Sequence, residues 1–145
     1  MRIDAPEVLA EVRAEFERSE SALVANDREA LVEFFLDAPA TVRYGIDDAQ
    51  YGHEELAAFR RSQAVATPPR DLRRTVFTTF GRDLAVANTE FVPHGSDAIG
   101  RQSQTGCAPT GVGRSSARTC RGSAVARLRD ARERLLHLTL CSRKS

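Results

Sequence analysis

The stretch Leu72-Arg-Arg-Thr-Val-Phe-Thr-Thr-Phe80, Gly81-Arg-Asp83, Leu84-Ala-Val-Ala-Asn-Thr-Glu-Phe-Val-Pro93 decides the fold. Its first part is rich in Val, Thr and Phe, residues that suit a pleated, half-buried surface. Gly81 to Asp83 then turns the chain, and Leu84 to Pro93 returns it. His94-Gly-Ser-Asp97 turns again into Ala98 to Thr105. Sequential strands joined by short turns form an antiparallel meander.

Upstream, the pattern is helical. Asp4 and Pro6 suit a helix start, and Val8, Leu9, Val12, Phe16 and Leu23 recur on one face with Glu and Arg between them. Asn26-Asp27 interrupts this face. Asp27 can cap a second helix, Arg28 to Leu36, whose apolar side is Leu31, Phe34 and Phe35. Ala40 to Gly45 reads as a short strand, and about His53 to Ser62 as a third helix, with Leu56, Ala57 and Phe59 available for burial. Helices first and strands after predict an α+β fold. Its cone-shaped, curved antiparallel sheet is covered by the N-terminal helices, and such a cone encloses a natural small-molecule site.

The chain changes character after Thr105. Residues 1–105 carry 12 Arg against 18 Asp and Glu, whereas residues 106–145 carry 9 Arg and Lys against 2. All three cysteines, Cys107, Cys120 and Cys141, lie after the break, as does Lys144. One reading is a real basic tail. The other is a tail read out of frame. Moved back one nucleotide, the codons permitted for Gly106 to Arg121 also encode Trp-Val-Arg-Thr-Asp-Gly-Gly-Trp-Ala-Val-Val-Gly-Ala-His-Val-Ser. That is a strand, an Asp-Gly turn and a Val-rich strand, a hairpin signal. The expected division is therefore a folded domain over 1–105, lacking its last strands, and a non-native or disordered basic tail over 106–145. Val125 to Leu140 can also be drawn as a basic amphipathic helix.

Composition excludes several classes. At 145 residues the chain supports one domain with a real core. No apolar run is long enough to span a membrane, and the N-terminus lacks a signal-type apolar stretch. The cysteine-free body gives no support for a disulfide framework, so a cytoplasmic location is the default. An acidic body argues against a nucleic-acid surface. His53 and His94 lack a spaced set of ligands, so no metal site is expected, and no cofactor is implied. Ser19, Ser21 and Ser103 lack the surroundings of a nucleophile elbow.

Charges inside the strands carry the chemical signal. Arg43 lies between Val42 and Tyr44. Asn88 and Glu90 share a face with Val86, and Arg101 shares one with Ser103. If those faces line the cone, they offer two guanidiniums, a carboxylate, an amide and a hydroxyl. The planar fork of arginine grips a carboxylate in bidentate fashion, which favours a small anionic ligand. A solvated sheet face yields the same alternation, and at Arg43 the two readings balance.

Pro6-Glu-Val-Leu-Ala-Glu-Val, Ala22-Leu-Val-Ala-Asn-Asp, Thr41-Val-Arg-Tyr-Gly45, Tyr51-Gly52, Ala58-Phe-Arg60, Ala87-Asn-Thr-Glu-Phe91 and Gly100-Arg-Gln-Ser-Gln-Thr105 together resemble the AtzH/HpxZ-like proteins. These are associated with oxalurate and carboxylated-urea catabolism, within the SnoaL-like, nuclear-transport-factor-2-like superfamily. The resemblance spans nearly all of Met1 to Thr105. In that family a Trp-led strand and an Ala-His-Val-Ser strand follow the Gln-Ser-Gln-Thr, as in the shifted frame.

The resemblance implies a homodimer and a pocket for a small ureido acid. It assigns Arg43 to carboxylate anchoring, and it implies a catalytic tyrosine on the first helix where this chain has Ser19. Serine is too short to replace a phenol, and Tyr44, though adjacent to Arg43, is no substitute. Two functions of different class follow. The first is an amidohydrolase acting on a carboxylated urea. Arg43 and Glu90 would be its catalytic residues, and Arg43, Tyr44, Asn88, Arg101, Ser103 and Ser19 its substrate contacts. The second is a non-catalytic accessory protein that binds such an acid or assists a partner amidase.

Overall fold

A computed structural model describes residues 1–106 and the backbone of 107 and of 123–127. Helix α1 (Pro6–Ala25) begins at its proline, whose missing N–H is one that a first helical turn leaves unbonded anyway. Asp4 does not cap it. Its carboxylate instead accepts from the Thr79 amide at 2.8 Å, tying the N-terminus to the sheet. Asp27 caps α2 (Arg28–Glu33) by accepting from the Ala30 amide at 3.1 Å. This helix stops before Leu36. Strands β1 (Val42–Tyr44) and β2 (Ala49–Tyr51) form a small hairpin, and α3 (His53–Ser62) follows. The long strands β3 (Arg70–Phe80), β4 (Leu84–Pro93) and β5 (Gly100–Cys107) make the antiparallel meander. Among the described residues no helix is long and apolar enough to cross a membrane.

The helices lie on one face of a six-stranded sheet ordered β2-β1-β6-β5-β4-β3, and the α+β cone is as expected. Val32, Phe35, Leu56 and Ala57 pack α2 against α3. Phe16 meets Phe77 edge-on at 5.3 Å and locks α1 to β3. The buried face of α1, Val8, Phe16, Ser19 and Ala22, follows the helical period, so Ser19 turns inward with Phe16.

One part of the expectation is corrected. The sheet does not end at Thr105: β5 runs on to Cys107, and the backbone of β6 (Ser123–Arg127) enters between β1 and β5. It pairs parallel to β1 and antiparallel to β5. The physical cause is the slot itself. The facing edges of β1 and β5 both need backbone partners, and any extended segment can supply N–H and C=O groups whatever its side chains. Residues 112–119, expected to be irregular, lie outside the described residues. So do Cys120, Cys141 and most of the segment drawn as an amphipathic helix, whose residues 125–127 belong to β6.

Candidate functional site

A cavity of about 400 Å³ opens between the concave sheet face and the helices. Arg43 lines it, with a side chain only 12% exposed. The Arg43 guanidinium stacks on the Phe59 ring at 4.7 Å. Its Nη1 donates to Asp48 Oδ1 at 2.5 Å and to Gln50 Oε1 at 2.6 Å, while Gln50 Nε2 donates to the same Asp48 oxygen at 2.8 Å. All Arg43 side-chain hydrogen bonds to described residues leave from Nη1, and none of them engages its Nε–Nη2 edge. Burial alone would raise the Asp48 carboxyl. The hydrogen bonds from Gln50 and Arg43, with the charges of Arg43 and Arg60, outweigh it and hold that carboxyl below its ordinary value. Gly45 makes this possible, because a Cβ there would fall inside the Asp48 carboxylate.

A second cluster repeats the pattern across the cavity. Arg70 grips Glu20 through Nε at 3.1 Å and Nη2 at 2.6 and 2.8 Å. It also donates to Gln102 Oε1 at 2.9 Å, and Gln102 Nε2 returns a bond to Glu20 at 3.2 Å. The Arg70 guanidinium lies 4.3 Å over the Phe91 ring. Phe91 in turn covers Gly100, where a Cβ would overlap the ring. The Arg70 and Glu20 side chains are 6% and 13% exposed, so this ion pair is built into the wall.

Of the positions expected at the site, Arg43 and Ser19 line the cavity. The Ser19 hydroxyl, however, donates to the Phe16 carbonyl at 2.7 Å within its own helix. The expectation that Glu90, Asn88, Arg101, Ser103 and Tyr44 line it is corrected. Strand residues alternate faces, and it is Ala87, Thr89, Phe91, Gln102 and Gln104 that are buried on the concave side. Glu90 and Arg101 pair at 3.4 Å on the convex face. Ser103 donates to Asn88 there at 2.5 Å, and Tyr44 packs edge-on against Tyr51 at 6.2 Å. The misplacement is one residue of parity. Phe91 was the available signal: a large apolar side chain marks the inward face, and its register partner Gly100 starts the series Gln102, Gln104. For Glu20 with Arg70, which are 50 residues apart, no local signal exists.

Each histidine of the described residues faces a carboxylate. His53 lies 3.2 Å from Asp37 and His94 3.0 Å from Asp71. Among the described residues no group of three His, Cys, Asp or Glu could hold a metal ion.

Comparison with known proteins bears on this geometry. The family model described as AtzH-like matches residues 1–113. A protein of unknown function of the DUF3225 family from Pectobacterium atrosepticum is 41% identical, with a TM-score of 0.77 over 87% of this chain and 94% of its own. A cystatin-like fold protein from Burkholderia xenovorans is 38% identical, also at 0.77, over 88% of this chain and 97% of its own. An NTF2-like protein of unknown function from Pseudomonas putida shares the fold at 16% identity and a TM-score of 0.66, over 84% and 87% of the two chains. No curated protein matches the chain.

Proposed function

The chain belongs to the AtzH-like family, and on that premise we propose that its cavity binds a small ureido acid, with Arg43 anchoring the carboxylate. The observation that carries this reading is the stacked, nearly buried Arg43, whose Nε–Nη2 edge is not engaged by any described residue. That edge matches a carboxylate in bidentate geometry.

The accessory reading, binding without hydrolysis, is favoured over the amidohydrolase. Ser19 replaces the family tyrosine and its hydroxyl is bonded within the helix. Glu90 lies on the opposite face of the sheet. The cavity carboxylates Glu20 and Asp48 are each held by an arginine, which suits them to fixing geometry. Arg43→Ala should weaken binding of a ureido acid by about 2–5 kcal/mol, the range for removing one member of a buried charge pair. Calorimetry measures this, and ammonia release separates binding from hydrolysis. Unchanged affinity in Arg43→Ala overturns the anchoring role, and ammonia release that Ser19→Tyr does not increase counts against the family tyrosine's role.

The same reading takes in a homodimer and a tail that is read out of frame. The convex face, with exposed Tyr44, Tyr51 and Val76 around the Glu90–Arg101 pair, supports the first. A self-associating face needs apolar area and opposite charges in reach of its symmetry mate. The change of composition after Thr105, from an acidic, cysteine-free body to an Arg-rich tail with all three cysteines, supports the second. Light scattering and resequencing of the codons around Gly106 test them.

A further inference from the structure

Three glutamines are buried in this fold: Gln50, Gln102 and Gln104. The first two are held at both ends of their amides. Gln50 accepts from Arg43 and donates to Asp48, and Gln102 accepts from Arg70 and donates to Glu20. Gln104 differs. It lines the cavity, is 8% exposed, and its side-chain amide makes no hydrogen bond to any described residue. The amide therefore stands open to the cavity, where a bound molecule or water can bond both of its ends.

Sheet register fixes where that amide stands relative to the anchor. Arg43 and Gln104 both pair with Ser123, from opposite sides of β6. Residues in register across a sheet point to the same face. Two strand spacings therefore put their Cα atoms roughly 10 Å apart. Gln50 is opposite Arg43 and Ala87 is opposite Gln104 in the same row. The guanidinium and the amide thus reach from two sides toward one small molecule.

We propose that Gln104 is the specificity-determining residue of the cavity and that it reads an amide or ureido group. Its Nε2 donates to the ligand carbonyl and its Oε1 accepts a ligand N–H. This pair of antiparallel bonds is one that neither an ionised carboxylate, which only accepts, nor an alkyl group can form. The inference rests on the reading that Arg43 holds the ligand carboxylate. The neighbouring Arg70–Glu20–Gln102 cluster is the rigid wall against which the second functional group is read.

The test compares two ligands of matched shape, ureidoacetate and 4-methylpentanoate, on the full chain by calorimetry. The parent should prefer ureidoacetate. Gln104→Met keeps side-chain length and removes the amide. It should weaken ureidoacetate about 10- to 100-fold, the loss of two neutral hydrogen bonds, and leave 4-methylpentanoate within about threefold. Gln104→Asn keeps the amide one methylene back and should retain part of the preference. It also serves if the methionine variant does not fold. Equal weakening of both ligands, or no change in either, overturns the role of Gln104. If Arg43→Ala leaves both affinities intact while Gln104→Met abolishes the preference, the anchoring role falls and that of Gln104 stands. A parent that binds neither ligand overturns both.

Discussion

On the concave face of the β4–β5 ladder, Gln102 is 5% exposed and locked between Arg70 and Glu20. One residue back along the same strand, on the convex face, Arg101 has a side chain 52% exposed and meets Glu90 at 3.4 Å. Both faces bring an arginine together with a glutamate. Only the concave pair is removed from water, gripped bidentately and stacked on an aromatic ring. The difference shows that in this fold charge type does not mark the site. Water exclusion does, because Coulomb and hydrogen-bond terms grow as the local dielectric falls.

The contrast has consequences that can be measured, the largest at the buried cluster. Glu20→Gln leaves the Arg70 guanidinium buried with only neutral partners. It should lower unfolding free energy by about 3–5 kcal/mol, read by urea denaturation. Its convex counterpart, Glu90→Gln, removes a pair that water already screens, and should cost no more than about 1 kcal/mol. Comparable losses in the two variants would erase the distinction between the faces.

A smaller effect is expected in acid. The Asp48 carboxyl is held low in the folded protein, so the unfolded chain takes up its proton first as pH falls. The stabilisation is thus complete above the ordinary carboxylate value of about 4 and is lost as pH drops through the lower folded value. Asp48→Asn should flatten that part of the stability–pH curve. It should change stability at neutral pH only modestly, because the carboxylate is 39% exposed. Gly45→Ala, which forces Asp48 off Arg43, should flatten the same region. An unchanged curve in both variants would remove Asp48 from the Arg43 cluster.

The same physics explains how much could be read from the chain. Strand β4 and helix α3 fall on the residues that their patterns predict, Leu84–Pro93 and His53–Ser62. Arg43 lines the cavity because a guanidinium in a short apolar strand has few places to go. The charges Glu90 and Arg101 do not mark the enclosed face of β4 and β5; Phe91 carries the burial signal. Strand β2 has no local signal. Its three residues, Ala49–Tyr51, are held by pairing with β1 rather than by any pattern of their own.

Local information therefore determined the helices, the meander and the α+β class, since caps, turns and periodicity act within a few residues of one another. The enclosed sheet face is marked in the chain by Phe91, and the tertiary structure decided the rest. It decided that Glu20 meets Arg70 across 50 residues, and that β6 fills the slot between β1 and β5. Ion pairs and strand pairing of this kind depend on where distant backbone segments are brought together. No periodicity in the chain encodes that distance, because a carboxylate on a helix reads the same whether it faces water or a guanidinium on a strand folded against it.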